Sequence, residues 1–107
     1  MREEVAFSKI GEELRAELCC EIDHHSARRI RERIDGELFR LKPCTLILDF
    51  AGVRFMDSSG IALILGRVEV MSSLDGRVRI TRVSPSIMKL LRLSGLERIP
   101  NLAIDSQ

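Results

Sequence analysis

Thr45-Leu46-Ile47-Leu48-Asp49-Phe50, then Ala51-Gly52-Val53-Arg54-Phe55-Met56, then Asp57-Ser58-Ser59-Gly60, is the stretch on which the fold turns. From Cys44 to Phe50 the residues are nearly all apolar, as expected for a central strand covered on both faces. Ala51 to Met56 is a connection, and Ile61 to Leu74 has the spacing of an amphipathic helix. A short hydroxyl-rich turn therefore lies where a helix begins. Helix N-termini carry unpaired N–H groups and a partial positive charge, so they accept phosphate. Two serines and a glycine at that spot point to a phosphorylation switch more than to a structural turn.

Upstream, Glu4 to Ile10 reads as a strand through Val5 and Phe7, and Gly11-Glu12 as a hairpin turn. Glu13 to Ile22 alternates, with Leu14, Ala16, Leu18, Cys20 and Ile22 on one face. Asp23 then reads as a helix N-cap. Ala27, Ile30, Ile34, Leu38 and Leu41 form one apolar stripe that stays in phase across Gly36, so one helix runs to about Leu41.

Downstream, Ile61, Ile64, Leu65, Val68 and Met71 share the inner face of the next helix, with Leu63, Val70 and Leu74 roughly opposite. That second stripe either packs on a neighbouring helix or forms a partner patch. Asp75-Gly76 is a turn, and Arg77 to Val83 a strand. Ser84-Pro85 opens a third helix with Ile87, Leu90 and Leu91 facing inward, and Ser94-Gly95 ends it. Leu96 to Ile104 holds a short last strand, which Pro100 confines to an edge. The predicted class is α/β, a mixed sheet of four to five strands with three helices mainly on one side.

Composition narrows the function. The 107 residues are 45% hydrophobic, enough for one core and one domain over residues 1–107. A formal net charge of +1 gives no drive toward nucleic acid or an anionic membrane, and the absence of Trp and Tyr removes stacking platforms for single strands. No run of about 18 apolar residues exists to span a membrane. Met1-Arg2-Glu3-Glu4 lacks the apolar core of a signal peptide, so a cytoplasmic protein is expected. Cys19, Cys20 and Cys44 lack metal-ligand spacing and read as reduced thiols. His24 and His25 are adjacent rather than four apart, so their rings are expected to diverge and no metal site is predicted.

Glu21-Ile22-Asp23-His24-His25-Ser26-Ala27, Phe55-Met56-Asp57-Ser58-Ser59-Gly60-Ile61, Ile64-Leu65-Gly66-Arg67, Ser84-Pro85 and Leu93-Ser94-Gly95-Leu96 resemble the STAS domains of anti-sigma factor antagonists, most of all the sporulation branch. The resemblance covers nearly the whole chain in the same order. It implies a STAS-like fold and a partner-switching mechanism. In that mechanism an unphosphorylated antagonist binds an anti-sigma factor that is also a serine kinase, which frees the sigma factor. The kinase, using Mg-ATP, then phosphorylates the antagonist, and a serine phosphatase resets it. Ser58 matches the phosphoacceptor, and Asp23, His24, Asp57, Ser59, Gly60 and Ile61 match the partner-binding surface. The chain itself needs no cofactor, metal or catalytic residue in this scheme, and contacts neither nucleic acid nor membrane.

Each of these residues also has a plainer role. By sequence pattern alone Ser58 reads first as an unmodified N-cap, a reading the resemblance reverses, with Ser59 the nearer competitor for the cap and Ser58 free as acceptor. Asp57 is expected to position the Ser58 hydroxyl, and Gly60 to keep the approach to it clear. The Arg28-Arg29-Arg31-Arg33 run reads as a solvated face or an acidic-partner contact. Cys20 stands where the family commonly has glycine, Ala62 replaces a second glycine, and the final helix that family members often add is expected to be either missing or trimmed away. A second functional reading is a non-switched STAS subunit of a stress-signalling or lipid-transport complex. An enzyme is disfavoured, because no Gly-x-Ser-x-Gly elbow or P-loop is present.

Overall fold

The computed structural model describes residues 4–105. The remaining chain ends, read above for a leader and a final helix, lie outside the described residues. Strands β1 (Val5–Ile10) and β2 (Glu13–Leu18) form the hairpin, followed by α1 (His24–Leu41), β3 (Thr45–Asp49), α2 (Ser58–Ser73), β4 (Arg77–Thr81), α3 (Pro85–Leu93), a 3-10 turn (Leu96–Arg98) and β5 (Leu102–Ile104).

The five strands lie in the sheet in chain order, β1-β2-β3-β4-β5. The first pair is antiparallel and the other three are parallel. Each parallel step needs a crossover, and crossovers of one hand that all advance in one direction put their helices on one face. Leu14, Ala16, Leu46, Leu48, Val78 and Ile80 on that face join Ile30, Ile34, Ile64, Met71, Ile87 and Leu91 in one buried core. The expected α/β mixed sheet with three helices on one side is the fold observed.

Three expectations need correction. The alternation through Ile22 is longer than the strand, which stops at Leu18. Ile22 stays buried because it leaves the sheet and bridges Met56 instead. Second, β4 stops at Thr81, short of the expected Val83. β3 is covered on both faces as expected, the inner one by helices. Its outer face carries Ile47 between Arg15 and Arg79 in register, and Asp49, fully buried, beside Arg15 and Arg82. Third, α2 starts at Ser58 rather than Ile61, and its buried residues are Gly60, Leu63, Ile64, Arg67, Val68 and Met71. Leu65, read as inner, is exposed, while Leu63 packs inside, as a stripe against a neighbouring helix would.

Candidate functional site

Two helix starts meet at one end of the sheet. Ile22 N–H donates to Phe55 O at 3.0 Å, and Asp57 N–H donates to Ile22 O at 3.1 Å. This bridge joins the residue before the α1 cap to the residue before the α2 cap. Asp23 and Asp57 therefore stand side by side, with His24 and Ser58 as the first residues of the two helices. Sequence spacing of 34 residues disappears because β2 and β3 are parallel neighbours whose helices both rise from the same edge.

Asp23 caps α1 with a full box. Its Oδ1 accepts from the N–H groups of His25 and Ser26, both at 2.9 Å. Ser26 Oγ accepts from Asp23 N–H at 3.0 Å and donates to Glu21 O at 2.7 Å. The Ser26 N–H bond chiefly holds the Asp23 carboxyl below its ordinary pKa, with burial pushing the other way. Asp23→Ala is expected to cost about 1 kcal/mol, read as a shift in urea midpoint at unchanged slope.

Asp57, not a serine, caps α2. Its Oδ1 accepts from Ser59 N–H at 2.7 Å and its carbonyl from Gly60 N–H at 2.9 Å. Asp and Ser both cap well, so the cap position within Asp57-Ser58-Ser59 was not fixed by residue type. Asp57 Oδ1 is thus engaged by the Ser59 N–H, and among the described residues Asp57 makes no hydrogen bond to the Ser58 hydroxyl. Ser58 is exposed at the first helical position, and Ser59 half-buried at the second.

Gly60 has a different role from that expected. It faces inward, and a Cβ there would stand 2.1 Å from Met56 Cγ and 2.2 Å from its Sδ. Glycine lets Met56 pack beneath the helix start. Gly60→Ala is expected to cost about 2 kcal/mol by overpacking. In a Met56→Ala background it should cost far less, a coupling that urea denaturation of the four-member cycle measures.

The exposed face of α2 runs from Ser58 through half-buried Ile61 and exposed Ala62 to Leu65, which is 39% exposed. Phe55, 51% exposed, precedes the turn. The site thus joins a free hydroxyl to an apolar strip. Phe55 and Leu65 were not among the predicted site residues. Phe55 could have been found as a large apolar side chain within a loop; Leu65 was masked by the wrong phase for α2. The rings of His24 and His25 do not diverge, standing edge to face at 5.5 Å. Among the described residues no group of three or more His, Cys, Asp or Glu could hold a metal, and Cys20 and Cys44 are free thiols. Burial chiefly raises the Cys20 thiol pKa.

A groove of about 360 Å³ lies between α1 and α2, lined by His24, Ala27, Arg28 and Arg31 on one side and Ser59, Ala62 and Leu63 on the other. Deeper in the same seam, Arg67 is buried, its Nε 2.8 Å from Asp35 Oδ1. The geometry is that of an ion pair without a well-formed hydrogen bond: Arg67 Nε and Nη1 and Asp35 Oδ1 have no hydrogen-bond partner among the described residues. Burial raises the Asp35 pKa and lowers that of Arg67, with their mutual attraction opposing both shifts. No helix here is long and apolar enough to cross a membrane, among the described residues.

The sequence matches the STAS domain family over residues 14–106. It is 38% identical over 76 residues to an anti-sigma F factor antagonist of Lysinibacillus sphaericus, covering 71% of this chain and 65% of that protein. It is 34% identical over 79 residues to one from Paenibacillus polymyxa, covering 74% and 68%. The alignments thus span about two thirds of the length of these curated relatives. The fold superposes on the Bacillus cell fate determinant SpoIIAA in its phosphorylated form with a TM-score of 0.72 and 31% identity, over 96% of this chain and 92% of that one. SpoIIAA in its unphosphorylated form gives 0.72 and 28%, over 96% and 89%. The chain belongs to the STAS-domain family and, within it, is homologous to the anti-sigma factor antagonists.

Proposed function

We propose that this chain is an anti-sigma factor antagonist switched by phosphorylation of Ser58. Unphosphorylated, it docks the paired helix starts onto an anti-sigma factor that is also a serine kinase, and this releases the sigma factor. Asp23, His24, Asp57, Ser59, Gly60 and Ile61 form or support the docking surface. The kinase binds Mg-ATP. Ser58 Oγ attacks the γ-phosphorus, the bond to the ADP oxygen breaks, and the hydroxyl proton passes to a base of the kinase. A serine phosphatase later hydrolyses the ester. The chain contributes no cofactor or catalytic group, contacts neither nucleic acid nor membrane, and works in the cytoplasm.

The observation that carries this reading is the division of labour at the α2 start. Asp57 supplies the cap, so the exposed Ser58 hydroxyl can be esterified without removing a bond that holds the helix. A phosphoryl group there adds about −1.5 to −2 charges beside the favourable end of the helix dipole. That Bacillus SpoIIAA has been solved in a phosphorylated form supports the same reading.

Intact-mass spectrometry after incubation with the anti-sigma kinase of the same genome and Mg-ATP tests it. One phosphate on the wild type and none on Ser58→Ala is expected. No phosphate with a kinase active on its own substrate would favour a non-switched STAS subunit. A phosphate surviving Ser58→Ala would move the site, Ser59 first.

A further inference from the structure

We infer that the α1–α2 groove receives an acidic side chain of the anti-sigma factor, which makes the switch a competition between two negative charges. The inference rests on the proposed function and goes beyond it by naming the partner chemistry. The groove opens beside the phosphoacceptor, since Ser59 lines it and Ser58 is the adjacent residue. Its walls are small and apolar at Ala27 and Ala62, so the surface is recessed there, and its charge is one-sided.

Arg28 has only a loose partner, Glu32 at 3.9 Å. Arg31 has no carboxylate within salt-bridge distance among the described residues. Asp35, one turn along from Arg31, is paired with Arg67 and also feels the Arg31 charge. Arg28 and Arg31 thus line the groove and, among the described residues, no carboxylate does, while Asp23 and Asp57 at the helix starts hold the two caps. A recessed site with low-dielectric walls focuses such a field, and guanidinium groups favour carboxylates and phosphates through paired N–H donors. The groove has the volume of a small ligand site but lies open along the helices, which suits the side chains of a docked segment. A phosphate on Ser58 would then repel the incoming carboxylate and draw on the same arginines.

The test is titration calorimetry of the full chain against the purified anti-sigma factor of the same genome, at low and high salt. Arg31→Glu should weaken binding by about tenfold or more and flatten the salt dependence. Arg31→Lys should recover part of the loss. Arg98→Glu, an equal charge change on the exposed 3-10 turn, should bind as the wild type does. Ala62→Leu, which fills the groove without altering charge, should also weaken binding. Thermal melts check that each variant folds. Tight wild-type binding left unchanged by Arg31→Glu and Ala62→Leu would overturn the groove assignment alone. An unphosphorylated wild type that does not bind the anti-sigma factor would overturn the proposed function, and this inference with it.

Discussion

Phosphorylated protein is expected to bind the anti-sigma factor at least about 100-fold more weakly than the unphosphorylated form, while its melting temperature barely moves. The two halves of this expectation have different physical sources. Stability is spared because the phosphoryl group sits at the first position of α2 and replaces no existing bond. The dipole at a helix start favours an anion by roughly 0.3–1 kcal/mol, so the fold is held or slightly strengthened. Binding is lost because the same charge lies beside Ile61, Leu65 and the groove mouth. Juxtaposed like charges at an interface cost several kcal/mol, and about 2.7 kcal/mol already gives a factor of 100. Ser58→Asp carries one charge instead of nearly two, so a loss nearer tenfold is expected. Ser58→Ala should bind as tightly as the unphosphorylated wild type and stay bound when ATP is added. Calorimetry and thermal melts on the four species separate the effects. Phosphorylated protein that binds weakly because it has melted would refute the charge mechanism, as would phosphorylated protein that binds tightly.

How much of this was legible in the sequence depended on the range of the interaction. Caps are local, and Asp23 and Ser84 sit where they were expected. The Asp57-Ser58-Ser59 run defeated the same logic, because three adjacent good capping residues leave the choice to backbone geometry. Period-two patterning gave β2 and β4 their inner faces. It overran at Ile22, since a residue can stay buried after its chain has left the sheet. The phase of α2 was misjudged because Gly60 and Arg67 are both buried on it. An apolar-stripe argument sends arginine outward and ignores glycine, so it rotated the helix and hid Leu65 on the inside. The meeting of Asp23 with Asp57 and the α1–α2 groove were beyond any local pattern. Both follow from β2 and β3 lying parallel in register, a long-range fact that the resemblance implied and the residues alone did not.

Asp49→Ala is expected to cost about 2–3 kcal/mol, the largest loss of stability from any polar substitution here, and to lower the melting temperature by roughly 10–20 °C. Asp49 ends β3 with its side chain fully buried. It accepts from Arg15, from Arg82 Nε at 3.1 Å and from Ala51 N–H at 3.0 Å. Those partners come from β2, from the end of β4 and from the loop that leads to Ser58, so one carboxylate ties three segments. Breaking a fully buried pair costs about 3–5 kcal/mol, but Arg15 and Arg82 keep 40% and 49% of their side chains exposed and regain water, which lowers the figure. Arg82 itself holds a left-handed backbone, φ 56°, a conformation that costs an L-residue about 1–2 kcal/mol. Arg82→Gly should therefore be less damaging than Arg82→Ala, since glycine recovers the strain while both lose the ion pair. The pH dependence follows from the same site. Burial pushes the Asp49 pKa up, but the bonds from Arg82, Ala51 and Arg15 outweigh it and leave it below the ordinary carboxylate value. A group with a depressed folded pKa stabilises fully above its unfolded pKa of about 4, and that contribution fades as pH falls through the folded value. Glu4, lowered chiefly by its hydrogen bond from Arg29, acts in the same direction. Asp35, raised by burial, acts in the opposite one: its ionised form opposes folding, and protonation relieves this. Urea midpoints of wild type and Asp49→Ala should thus stay widely separated near neutral pH and converge as pH drops below about 4. A gap that persists unchanged into acid would mean that Asp49 acts by shape and not by charge.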